Sequence, residues 1–134
     1  MKKFREKYKK HEYGYLVGTI SAELAKTLAS IETKVILSEA SLQKNLKNHN
    51  DLSEEDYLRL DEIIGKTHFI AKDGDRTLAV ALFLEEMYHY ALKTTKTGKA
   101  IFLVSFRKTK IKDIQRLRKK GKSGKIKILK DFMP

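Results

Sequence analysis

The spacing of apolar residues changes at about residue 67, and this change most strongly limits the folds open to the chain. Before it, apolar residues recur every three or four positions, as at Leu24, Leu28 and Ile31. That spacing lines up side chains along one side of a helix. After it, apolar and polar residues alternate, as in strands with one buried face. Helices followed by strands predict an α+β fold.

Each of the three predicted helices starts at a serine that can act as an N-cap. These serines are Ser21, Ser38 and Ser53. Leu37 and Leu42 have the spacing of a hydrophobic staple across the second start, as do Leu52 and Tyr57 across the third. The second helix is expected to fade over residues 47–50, and the third to end at Gly65, a residue suited to a helix C-terminus.

The alternating half predicts a four-stranded antiparallel meander, with the N-terminal helices packed on one face. Its strands are expected at 68–71, 76–84, 87–95 and 99–107. A basic helix capped by Thr109 should follow, with Ile111, Ile114 and Leu117 turned inward. Residues 125–129 are expected to be extended.

A hairpin around Gly98 sets the predicted faces of the last two strands. Residues 95–99 are typical of a three-residue loop with glycine in the left-handed conformation. This loop would place Tyr90 opposite Val104 and Leu92 opposite Phe102 on an apolar side. The other side would display His89, Lys93, Thr95, Ser105 and Arg107. Many antiparallel sheets have one polar, solvated side, so these polar side chains do not by themselves require a function.

Positive charge is concentrated at the two ends of the chain. The net charge is +5 over residues 1–10, −6 over 11–92 and +13 over 93–134. A basic surface beside a more acidic body favours a polyanionic partner, RNA first of all, because each phosphate contact releases counterions. A solubilising basic tail is the ordinary alternative. The surface residues expected to contact nucleic acid are Lys96, Lys99, Lys108, Lys110, Lys112 and Arg116.

Length and composition limit the remaining possibilities. A chain of 134 residues predicts one domain, divided here into a basic arm (1–12), the α+β domain (13–120) and a basic tail (121–134). The absence of cysteine excludes disulfides and thiol catalysis. No apolar run has the ~20 residues of a membrane span, so no membrane partner is expected. A cytoplasmic or virion-associated location is the default expectation, and the oligomeric state stays open.

The residue inventory favours one catalytic chemistry over others. No nucleotide-binding, nucleophile-elbow or zinc-protease motif is present, and no metal or cofactor is expected. Cleavage of RNA without a metal needs a base for the ribose 2′-hydroxyl, an acid for the leaving 5′-oxygen and cations for the phosphorane. The product would be a 2′,3′-cyclic phosphate. The side chains suited to these roles are His49, Lys93, Thr95, Ser105 and Arg107, with His89 as an additional candidate.

Two runs of sequence resemble a known nuclease-like domain. They are residues 34–70, which include Lys47-Asn-His49 and Glu55-Asp-Tyr57, and residues 88–110, which include Leu92-Lys-Thr-Thr95 and Leu103-Val-Ser-Phe-Arg107. The resemblance is to the C-terminal domain of Mu-type phage head-morphogenesis proteins, of the barnase–EndoU–colicin–RelE class of metal-independent endoribonucleases. It covers about residues 20–120. It implies that His49, Lys93, Thr95 and Ser105 lie near the scissile phosphate, with Arg107 in support.

The sequence departs from that class in two places and leaves alternatives open. Asn50 follows His49 where proline is expected, and no glutamate base is identified on the sheet. The first reading is therefore a phage-associated, toxin-like endoribonuclease. The alternatives are a nucleic-acid-binding module without catalysis and a structural protein of phage head assembly, for which head proteins would be partners.

Overall fold

One eight-stranded sheet with helices on both faces makes up the protein, in a computed structural model that describes residues 1–134. The helices are α1 (Lys2–Lys7), α2 (Ala22–Thr27), α3 (Glu39–Asn48), α4 (Glu54–Leu58), α5 (Leu60–Gly65) and α6 (Ile111–Lys122). The strands are β1 (Lys10–His11), β2 (Gly14–Thr19), β3 (Lys34–Leu37), β4 (Thr67–Asp73), β5 (Arg76–Phe83), β6 (Glu86–Thr94), β7 (Ile101–Lys108) and β8 (Lys127–Asp131).

The predicted fold class is wrong about the sheet. Instead of a four-stranded antiparallel meander, the structure has a mixed sheet in the order β1-β2-β3-β7-β6-β5-β4-β8. Strands β4 to β7 are consecutive and antiparallel at its centre. They are extended on one side by β3, which pairs with β7 in parallel, and on the other by β8. A strand at the edge of a meander has unpaired backbone groups, and distant short segments supply the partners here.

The ends of the chain belong to this sheet. Residues 1–12, expected as an arm, form α1 and β1, and the side chain of Phe4 is completely buried. Within residues 121–134, expected as a tail, β8 pairs with β4. Basic composition predicts solvated segments at both ends, but the apolar residues between the lysines, such as Phe4 and Ile126, pack into the protein.

The local predictions for the first two helices are confirmed. The hydroxyl of Ser21 accepts a hydrogen bond from the Leu24 amide, and that of Ser38 accepts one from the Ser41 amide. The third predicted helix is divided into α4 and α5, which meet at Arg59. For α6, the predicted Thr109 cap is wrong, because Lys110 occupies the cap position and the Thr109 hydroxyl bonds to Asp113 instead.

The two faces of the sheet differ in how fully they are covered. The first face carries Tyr88, Tyr90 and Leu92 and packs against helices α1 to α5 in a cluster of 24 buried residues. The second face is covered by α6 over only part of its width, where Ile114 and Leu117 meet a cluster of seven buried residues. The remainder of the second face, over β7, β6 and β5 near Lys93, lies outside the cluster that α6 covers.

Candidate nucleic-acid interface

A bulge in β7 decides which side chains reach the second face. Tyr90 pairs with Phe106 and Ala91 with Ser105, but Leu92 pairs with Leu103, so that Val104 is an extra residue. The predicted register, with Val104 opposite Tyr90 and Phe102 opposite Leu92, is therefore wrong. Single-strand alternation does not reveal an inserted residue, and a bulge exchanges the faces of everything on one side of it.

The true register places Phe102 beside Lys93 on the second face. Ile101 and Leu103, on either side of Phe102, are buried in the core of the first face. Across the neighbouring pair of strands, Lys93 lies opposite Arg76. Phe102, Lys93 and Arg76 thus form a row of one aromatic ring and two cations on three adjacent strands, which we call the β7–β5 row.

Lys93 is accessible within this row. Its ammonium group lies 3.3 Å from a carboxylate oxygen of Asp75, and both side chains are more than half exposed. The hydrogen bond from Lys93 lowers the pKa of Asp75. An exposed ion pair of this kind contributes little to stability, so a phosphate group can replace Asp75 at low cost.

Ser105 and Arg107 lie on the same face as Lys93, farther along β7. Arg107 pairs with His89, four residues from Lys93 along β6, which is about 13 Å in a strand. Its guanidinium donates to the Asp113 carboxylate at 3.1 Å. Burial raises the pKa of Asp113, but the hydrogen bond from Arg116 and other nearby positive charge outweigh burial and lower it. Arg107 is therefore held at the start of α6, away from Lys93.

His89 is on the predicted face but is not accessible. Its side chain is buried, and neither ring nitrogen has a hydrogen-bond partner. Burial and the nearby charge of Arg107 lower its pKa to about 4. The imidazole is thus neutral near pH 7 and is separated from solvent.

His49 lies far from Lys93. It is the C-cap of α3, whose Asn45 makes hydrogen bonds to both backbone groups of Phe106. Ile36, just before α3, pairs with Phe102 near the start of β7, and Asn45 near the end of α3 bonds to Phe106, so α3 and β7 run in the same direction. His49 is one turn beyond Asn45, whereas Lys93 pairs with Phe102 at the opposite end of β7. The structure does not bring His49 and Lys93 together.

Thr95 has a structural contact in the hairpin loop. Its hydroxyl accepts a hydrogen bond from the Ala100 amide at 3.2 Å. Gly98 has the predicted left-handed conformation, with φ of +70°. Lys96 and Lys99 are exposed on this loop, beyond the Lys93 end of the sheet.

The basic residues around α6 divide into two groups. Lys108 lies 3.9 Å from both Asp56 and Glu86, next to acidic side chains of the protein itself. Lys110, Lys112 and Arg116 instead line an open depression with Arg107, Thr109 and Asp113. Along the exposed side of α6, basic residues recur at Lys112, Arg116, Lys119 and Lys122. We call these four residues the α6 basic stripe.

Most cations of the basic C-terminal region have no acidic partner. Residues 93–134 contain fifteen Lys and Arg but only Asp113 and Asp131 as acids. Five of the fifteen are in ion pairs: Lys93, Arg107, Lys108, Arg116 and Arg118. The other ten are lysines without an ion pair, which gives residues 93–134 a high density of unpaired positive charge.

Two further features bear on the type of site. No group of three or more His, Asp or Glu side chains is arranged to hold a metal ion. None of the six helices has both the length and the hydropathy of a membrane-spanning segment.

Sequence reasoning missed three residues at this surface: Arg76, Phe102 and Tyr13. Arg76 is a turn-flanking strand residue that becomes notable only when β5 is paired with β6. Phe102 was assigned to the apolar side through the wrong register. Tyr13 is 56% exposed and contacts the Phe102 ring edge-on, with 6.4 Å between ring centroids. Its position depends on β3 joining β7, for which the sequence has no local signal.

Comparisons with known proteins provide little further information. No protein-family model matches the chain, and no curated protein matches it. Among solved structures, it is similar to the ribonuclease toxin BrnT of Brucella abortus, with 20% sequence identity and a TM-score of 0.41. That similarity covers 57% of this chain and 95% of BrnT. A TM-score this low does not establish a shared fold. The comparisons lend no support to the resemblance with barnase-like domains of phage proteins, which stays a prediction.

Proposed function

We propose that this chain binds RNA across the α6 basic stripe and the uncovered part of the second face. The observation that carries the proposal is the group of ten lysines without acidic partners in residues 93–134. Four basic residues follow one side of α6 at helical spacing, and a helix presented in this way can contact successive phosphates. Such contacts supply affinity for nucleic acid through counterion release.

The distribution of charge supports a binding surface over general solubility. The helices of the opposite layer carry acidic residues at several exposed positions, including Glu39, Glu55 and Glu62. The cations are therefore not spread evenly around the protein. An uneven distribution of this kind orients a polyanion toward one side before contact.

A pair of charge-matched triple variants tests the proposal. Lys112→Gln, Arg116→Gln and Lys119→Gln remove three charges from the stripe. Lys26→Gln, Lys44→Gln and Lys47→Gln remove three exposed charges from α2 and α3, so both proteins have the same net charge. Binding of a fluorescently labelled single-stranded RNA is measured by anisotropy over a range of salt concentrations.

The stripe variant should bind RNA at least about ten-fold more weakly than the wild type. Its slope of log affinity against log salt should be smaller by about 2, since each lost phosphate contact removes ~0.7 from the slope for single strands. The control triple variant should keep the wild-type slope. Equal losses in both variants would mean that net charge alone drives binding, and tighter binding of duplex DNA than of RNA would point to a different ligand.

RNA cleavage without a metal ion is the second candidate function. The observation favouring it is that Ser105 shares one face with Lys93 on one side and Arg107 on the other, since a hydroxyl group and a neighbouring cation can hold the oxygens of a phosphorane. The two histidines predicted for proton transfer do not stand beside these groups, because His49 lies near the other end of β7 from Lys93 and His89 is buried. Cleavage would yield a 2′,3′-cyclic phosphate, persist in EDTA and be lost in the Lys93→Ala variant. Bound RNA that stays intact would leave binding as the function.

A further inference from the structure

An aromatic pair stands at the uncovered end of the second face. Phe102 is a strand residue whose ring is only partly buried, although its neighbours Ile101 and Leu103 are both buried in the core. Tyr13, at the turn between β1 and β2, contacts it at the edge and is itself 56% exposed. On the other side of Phe102, its partner in β3 is Ile36, which is almost completely buried. A strand therefore holds the aromatic ring at a fixed place with part of its surface exposed.

Cations surround this aromatic pair on one side. Lys93 is the residue directly beside Phe102, and Arg76 is the next beyond it. The exposed Lys96 and Lys99 lie on the loop just past the same end of β6 and β7. Of these four, Lys93 is in an ion pair, with the exposed Asp75. An aromatic ring with cations on the adjacent strands and loop is suited to a ligand that has both a flat apolar group and a negative charge.

We propose that Phe102 and Tyr13 form a stacking platform for an unpaired base of single-stranded RNA, with the β7–β5 row and the loop lysines binding the adjoining phosphates. The inference rests on the RNA-binding function proposed above and specifies its substrate class. A base in a duplex already has both faces stacked on its neighbours, so only an unpaired base can lie on a protein ring. The platform therefore selects single-stranded RNA over duplex RNA.

The experiment separates stacking from charge. Phe102→Ala and Tyr13→Ala each remove a ring without changing the charge. Phe132→Ala is the matched control, because Phe132 is 73% exposed but follows β8 at the opposite edge of the sheet. Affinities for single-stranded and duplex RNA of equal length are measured by anisotropy at one salt concentration, and circular dichroism verifies that each variant is folded.

The platform variants should lose at least about ten-fold in affinity for single-stranded RNA, in line with the usual effect of removing a stacked ring. Their affinity for duplex RNA and their salt dependence should stay at the wild-type values, and Phe132→Ala should resemble the wild type throughout. Phe102→Trp adds a second measurement, since the chain has no tryptophan of its own. Its fluorescence should be quenched by single-stranded RNA and not by duplex.

Two results overturn the platform and are distinguishable from failure of the proposed function. Salt-dependent RNA binding that is unchanged in Phe102→Ala and Tyr13→Ala removes the platform but leaves RNA binding in place. Quenching of Phe102→Trp to the same extent by duplex RNA removes its selectivity. If the wild-type protein binds no RNA at any salt concentration, the proposed function fails, and the platform fails with it.

Discussion

Among single residues, His89 has the least satisfied environment in the protein. It lies between the sheet and α6, with Arg107 opposite it on β7 and Asp113 and Arg116 nearby on α6. Neither of its ring nitrogens has a hydrogen-bond partner. A buried polar group without hydrogen-bond partners has lost its hydrogen bonds to water and has gained none from the protein. The position therefore costs stability, and the cost depends on protonation.

The first prediction is that the free energy of unfolding falls as the pH drops from about 6.5 to about 4. The unfolded chain takes up a proton on His89 near its ordinary pKa of 6.5, whereas the folded protein resists it until about 4. The cost of protonating His89 is thus absent above pH 6.5 and grows as the pH falls through this window, to roughly 3 kcal/mol. Urea unfolding of the wild type and of His89→Leu, from pH 4 to 8, measures the difference.

His89→Leu should remove this part of the pH dependence and should be more stable than the wild type at pH 5. Carboxylates such as Asp113 also make the free energy of unfolding depend on pH, mainly at lower pH. The difference in free energy of unfolding between the wild type and the variant cancels most of this effect. The exposed His11→Leu serves as the control and should follow the wild-type curve. Parallel curves for the wild type and His89→Leu would show that His89 is hydrated in solution.

Among the helices, strands and turns, the hairpin loop between β6 and β7 is held by contacts outside the hairpin. The carbonyl of Gly98 accepts hydrogen bonds from the Ile31 amide at 2.9 Å and from the Ser30 hydroxyl at 3.2 Å. The loop therefore rests on the segment between α2 and β3. This contact is next to the parallel β3–β7 pair and fixes Lys96 and Lys99 relative to the sheet.

The second prediction compares two glycines with similar backbone conformations. Gly98 and Gly74 have φ of +70° and +61°, but a Cβ on Gly98 would come within 2.5 Å of the Ala29 carbonyl oxygen, while Gly74 has no atom within 4 Å. Gly74→Ala should cost only the left-handed strain of about 1–2 kcal/mol. Gly98→Ala should lower the free energy of unfolding clearly more, because the backbone at Ala29 must move to make room for the Cβ. Equal losses in urea unfolding would mean that the loop does not rest on residue 29.

Across the protein as a whole, both ends of the chain stabilise the sheet. Phe4 packs against Tyr8, Tyr15 and Tyr57, with ring centroids 5.0 to 6.2 Å apart. At the other end, Arg118 of α6 bonds to Asp131 of β8, and Met133 is buried beneath α6. The basic ends are thus parts of the core that carry lysines on their outer sides.

The third prediction tests the N-terminal end. Phe4→Ala should lower the free energy of unfolding by about 3–5 kcal/mol, as expected for a fully buried phenylalanine. Phe132→Ala, at an exposed ring, should change it by no more than about 0.5 kcal/mol. Urea unfolding of both variants gives the comparison. A Phe4→Ala protein as stable as the wild type would show that residues 1–12 are a free arm.

Predictions based on neighbouring residues were the most reliable. The serine caps of α2 and α3 and the left-handed Gly98 are confirmed, because a cap or a turn involves only residues within a few positions. The register of β6 and β7 and the extent of the sheet were wrong. Both depend on partners distant in sequence, namely the bulge at Val104 and the addition of β1–β3 and β8.

The candidate site shows the same division. Charge counted along the chain located the basic side of the molecule, since lysines stay solvated wherever the backbone goes. Which side chains stand together was settled by long-range strand pairing. One extra residue in β7 brought Phe102 beside Lys93, and burial beneath α6 removed His89 from solvent. Composition and local pattern can be read from the sequence alone. A site depends on the distances between side chains, and these are fixed only when segments remote in sequence pack together.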